Sequence, residues 1–121
     1  MTSLCVSFMK YLLIGLFAFA LLASATMFAT QSRQTFSGTI TDDECPSADH
    51  SGMRMGPTDA ACTIACVDDH SVQFILFDGK EIYQLSDQDK SREFAGKKVA
   101  VVGTLDSKTQ TIQVNSMAAA N

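Results

Sequence analysis

The ten residues Lys97 to Asp106, KKVAVVGTLD, constrain this chain more than any other stretch, because Val99, Val101, Gly103 and Leu105 fall at alternate positions. Successive side chains leave a strand on opposite faces, so such alternation reads as a half-buried β-strand, and a glycine inside it predicts a bulge or a sharp bend. A strand of this kind is the natural spine of a small barrel. Most of the other segments read as pieces that pair with it or cover it.

Ahead of it, TFSGTIT over Thr35 to Thr41 sets Phe36, Gly38 and Ile40 on one face and β-branched or small polar residues on the other, which suits a strand with a wet side. VQFILF, ending at Phe77, is nearly all apolar and fits a strand buried on both faces. Asp78-Gly79 follows as a two-residue hairpin signal, and KEIYQL returns as its antiparallel partner. SDQDKSREF opens with capping residues and closes on Ala95-Gly96, which predicts a short helix. Ile112 and Val114 mark a fifth strand after the turn at Asp106 to Lys108, and Ala118 to Asn121 reads as a frayed tail.

One excursion interrupts this order. Asp42, Asp43 and Glu44 read as a solvated acidic turn, and their spacing does not match a calcium loop. Pro46 to Pro57 has no periodicity and reads as a loop. Thr58 or Asp59 then caps a short helix, DAACTIACV, that ends near Asp69 with His70 in a left-handed conformation. With the insert set aside, five strands remain with a helix between the third and fourth. That is the order of an OB-type barrel, whose closure also removes the exposed edges of a small sheet.

The N-terminus bears on compartment. Lys10 is followed by the apolar run Tyr11 to Ala23 and by Ala23-Ser24-Ala25, the three parts of a secretory signal peptide. The alternative is an uncleaved anchor, although the run is shorter than the ~20 residues that a spanning helix needs. The expected organisation is a signal peptide over 1–25, a linker over 26–34, a β-barrel domain over 35–117 carrying the insert 42–70, and a tail over 118–121. The net charge of −4 argues against nucleic acid, whose affinity for proteins rests on Lys and Arg. Export to the periplasm or beyond would also place the cysteines where disulfides form and persist.

Of the four cysteines, Cys5 leaves with the signal, so Cys45, Cys62 and Cys66 remain. An odd number implies a free thiol, a pairing between chains or a bound ligand. Cys62 and Cys66 lie one turn apart on the same helix face and are poor partners for each other, whereas a bridge from Cys45 to either would staple the insert to the first strand. Adding His50 makes a set of three cysteines and one histidine suited to tetrahedral zinc, and Met53 or Met55 would turn the preference toward Cu(I). Asp68, Asp69 and His70 read as a helix end, and Tyr83 as core. With no nucleophile elbow, zincin motif or phosphate loop, no enzymatic activity is expected. A thiolate on Cys62, near the start of its helix, is the one catalytic option.

At these residues the chain resembles an uncharacterised family of small exported bacterial proteins defined as a domain of unknown function. The matches are Gly38, Ile40 and Asp42, then Cys45 and His50, then Cys62, Cys66 and Val67, and finally Ala95 to Leu105. The chain departs from that pattern in the longer Cys45-to-His50 gap and in His70, where a glycine is usual. The resemblance implies a periplasmic or extracellular OB-like domain without an assigned activity. The expected function is a binding or structural module of the cell envelope, engaging a protein or small ligand. Metal binding by Cys45, His50, Cys62 and Cys66 is the alternative.

Overall fold

Strand β1 (Gln34–Asp42) opens the fold and pairs antiparallel on both edges. Its first part, Gln34 to Thr39, lies against β4 (Lys98–Asp106), and its last, Thr39 to Asp42, lies against β2 (Phe74–Phe77). The computed structural model describes residues 31–121. The expected signal peptide, with Lys10 and Cys5, lies outside them, as do residues 26–30 of the expected linker.

The hairpin partner of β2 is β3 (Ile82–Leu85). β5 (Thr111–Ala119) runs antiparallel to β4 and closes onto β3 through a short parallel pairing at Gln84 and Leu85. The hydrogen-bonded order β1-β2-β3-β5-β4 therefore returns to β1, a ring of five strands in a mixed sheet. Helix α1 (Asp59–His70) lies in the β1–β2 connection and α2 (Gln88–Glu93) in the β3–β4 connection. Among the described residues, no helix is long and apolar enough to cross a membrane.

The core gathers the alternating residues: Ile40 from β1, Phe74 and Leu76 from β2, Val99 and Val101 from β4, Ile112 and Met117 from β5. Each large apolar side chain taken fully from water contributes about 1.5–3 kcal/mol. Gly103 lies where the β4–β5 register shifts, as a glycine inside the alternation predicts. A Cβ there would run into the Gln113 carbonyl and the Ile112 side chain, so the bulge and the glycine require each other.

Several boundaries differ from the sequence reading for identifiable reasons. Ala118 and Ala119 are not a frayed tail: they pair with Ala100 and Val99, and small side chains carry no alternation to betray a strand. Gln34 belongs to β1, not to the linker. The left-handed residue after α1 is Ser71, with φ 58°, while His70 is the last helical residue, so β2 starts later, at Phe74. The hairpin centres on Gly79-Lys80, one residue later than expected. Asp78 bonds across the turn to Glu81, and its carboxylate accepts from the amides of Lys80 at 2.8 Å and Glu81 at 2.7 Å.

Helix α1 lies over the end of β1. It starts at the Thr58 cap, whose hydroxyl accepts from the Ala61 amide at 3.1 Å, and its buried residues are Cys62, Thr63 and Cys66. Ile64 and Val67 pack on the core. Asp68 pairs with Arg92 of α2, and that guanidinium in turn lies 5.4 Å from the centre of the Phe74 ring.

Candidate metal centre

Asp42 ends β1 in phase with Phe36, Gly38 and Ile40, and it is completely buried. A carboxylate removed from water costs several kcal/mol unless its oxygens are satisfied. Asp42 Oδ1 accepts the backbone N–H of Cys45 at 2.9 Å and of Glu44 at 3.1 Å, which turns the chain sharply out of the strand. The neighbouring Thr41 hydroxyl donates to the Cys45 carbonyl at 2.8 Å. Cys45 is thus fixed by both residues that end the strand.

The loop then brings His50 back over the same carboxylate. Its Nε2 lies 3.2 Å from Asp42 Oδ2 and 3.3 Å from the Thr63 hydroxyl of α1, with the ring only 1% exposed. Nδ1 lies 3.6 Å from Asp59 Oδ1, beyond a good hydrogen bond. Among the described residues it is the buried side-chain nitrogen or oxygen left without a hydrogen-bond partner. One donor atom from each of Asp42, Cys45 and His50 falls within 4.8 Å of the others, and all three residues are buried. An oxygen, a sulfur and an imidazole nitrogen at that separation can close on one transition-metal ion. Calcium and magnesium want a shell of oxygens that this group does not supply.

Cys62 and Cys66, expected in the same ligand set, stand beside this group and outside it. The Cys62 thiol donates to the Gly56 carbonyl at 3.3 Å, and its sulfur accepts from the Gly56 amide at 3.2 Å. That clasp depends on close approach, since a Cβ on Gly56 would overlap the Cβ of Ala61. The Cys66 thiol faces the thioether of Met55, with the sulfurs 3.6 Å apart. Met53 is exposed. The three cysteines are free thiols in this structure, so the expected staple from Cys45 to the helix is not formed in it.

The thiols also influence one another. Burial, then the charge of Asp42, pushes the Cys66 thiol up to about 11, with Cys45 and Cys62 adding to the rise. Burial likewise raises Cys45, again followed by Asp42 and Glu44. An ion that replaced the Cys45 proton would relieve the rise at that thiol.

Asp42 is the residue that sequence reasoning misplaced. Asp43 and Glu44 are exposed, as a solvated turn requires, but Asp42 is not. The signal was its phase, because continuing the alternation of Phe36, Gly38 and Ile40 by one step reaches Asp42. No family model matches the chain, and neither a curated protein nor a solved structure matches it.

Proposed function

We propose that this chain is an exported metal-binding protein, in which an OB-like barrel carries a transition-metal site made by Asp42, Cys45 and His50. The observation that carries this reading is the buried convergence of one donor atom from each of Asp42, Cys45 and His50. Removing an aspartate, a thiol and an imidazole from water is costly, and a cation at their centre offsets that cost. The five-stranded ring with a helix between β3 and β4 supports the OB-like description. The resemblance to small exported proteins and the apolar N-terminal run support the periplasmic or secreted location, with an uncleaved anchor as the variant. The role is storage, delivery or structural use of the ion, not catalysis.

The test is elemental analysis of the protein recovered from a periplasmic expression host, together with melting in the presence and absence of chelator. A stoichiometric transition metal and a lower melting temperature in chelator are expected. No metal, together with unchanged melting, refutes the reading.

A second reading rests on a cleft of about 410 Å³ lined by Gly38, Thr39, Ala48, Asp78 and Lys98 among others, which a small envelope ligand could occupy. In that reading the insert is stapled by a disulfide from Cys45. Non-reducing mass spectrometry showing that bridge in metal-free protein would favour it over the metal site.

A further inference from the structure

Beside the Asp42, Cys45 and His50 group lies a pair of sulfurs, those of Cys66 and Met55. The Cys66 thiol is fully buried, and its hydrogen-bonding neighbour is the thioether of Met55 at 3.6 Å. Met55 lies in an aperiodic loop and is only half-buried, so hydrophobic burial alone does not explain its placement. What places it is the next residue, Gly56, clasped at both its amide and its carbonyl by Cys62. Arg54, on the other side, donates to the Pro57 carbonyl at 3.2 Å and tightens the same loop. The loop is thus anchored so that Met55 meets Cys66.

Ligand softness then distinguishes between ions. A thioether is a poor ligand for zinc and a good one for Cu(I), and thiolates with thioethers select that ion. Asp42 already uses one carboxylate oxygen on two backbone amides, which leaves a single oxygen for a metal and weakens the case for a harder ion. Building on the metal-binding reading above, we propose that the ion is Cu(I), with the sulfurs of Cys66 and Met55 taking the place of the Asp42 carboxylate beside Cys45 and His50. Cys62 is then a positioning residue that holds the Met55 loop through Gly56.

The experiment uses the full chain, reduced and handled without oxygen. Its affinity for Cu(I) is measured by competition with a chromogenic Cu(I) chelator, and its affinity for Zn(II) by competition with a zinc indicator. Cu(I) should bind more tightly than Zn(II), and Met55→Leu should weaken Cu(I) roughly tenfold or more while leaving Zn(II) within about twofold. The methyl resonance of Met55 should shift on addition of Cu(I) and not on addition of Zn(II), a readout independent of whether a variant folds. Tighter zinc binding, or a Met55 methyl indifferent to Cu(I), overturns the choice of ion and leaves the metal site standing. Binding of neither ion overturns both.

Discussion

Asp42 Oδ2 lies 3.2 Å from His50 Nε2, with both side chains 1% exposed or less. A buried carboxylate and a buried imidazole eight residues apart hold the start of the insert closed over the end of β1. The same carboxylate fixes the backbone of Cys45. Four expectations follow from this arrangement and from the sheet beneath it.

Asp42→Ala removes the acceptor of two backbone amides and the partner of His50. Leaving such groups unpaired in a buried site should cost about 3 kcal/mol, read by chemical denaturation of the metal-free protein. Asp42→Asn keeps an acceptor at Oδ1 and should cost less than half of that. It removes the charge, however, and should still weaken metal binding by roughly tenfold or more.

Asp59 lies on the far side of the ring, 3.6 Å from Nδ1 and 60% exposed. Once a metal orders the imidazole, this carboxylate is placed to accept the proton of a ring nitrogen not bound to metal. Asp59→Asn should therefore lower metal affinity by about tenfold. Because it stands in the first turn of α1, it should change folding stability by less than about 1 kcal/mol. A titration and a denaturation curve on the same variant separate the two effects.

The raised Cys66 thiol makes the metal-free fold sensitive to alkali. Its pKa is about 11 in the folded state against an ordinary 9.0, so folding favours the protonated thiol. That contribution is fully present below pH 9, shrinks as pH rises above it and is lost as pH passes through about 11. Cys45 acts in the same direction, as does Tyr83, whose phenol is raised by burial and then by Asp78. The denaturation midpoint of reduced, metal-free protein should fall on the alkaline side of pH 9, and Cys66→Ala should make that fall shallower. An equal slope in the variant would contradict the assignment.

Gly103→Ala tests the bulge at which the register of β4 and β5 shifts within their pairing. The added methyl meets the Gln113 backbone and Ile112, which cannot both move without breaking the ladder. A loss of about 1–3 kcal/mol is expected in urea denaturation. The metal site lies on β1 and the insert, so metal affinity at low temperature should be retained.

Five strands, their order and two helices were legible because the alternation of Phe36, Gly38 and Ile40, of Val99, Val101 and Gly103, and the apolar run before Phe77 each report one residue's own phase relative to a core. The i and i+4 spacing of Cys62 and Cys66 likewise placed both on the buried face of α1. Such local periodicities depend only on backbone geometry. Ala118 and Ala119 escaped notice because a methyl group leaves no phase to read.

The sequence by itself determined the secondary-structure pattern and the presence of thiols, imidazole and thioether in one insert. Only the tertiary structure decided which of them meet. Asp42 is buried because β2 pairs against it at Phe74 while α1 and the returning His50 cover it. Cys62 turns to Gly56, and Cys66 to Met55, because the loop folds back onto the helix. Those contacts join residues with no periodic relation along the chain, so they depend on how the elements pack against one another.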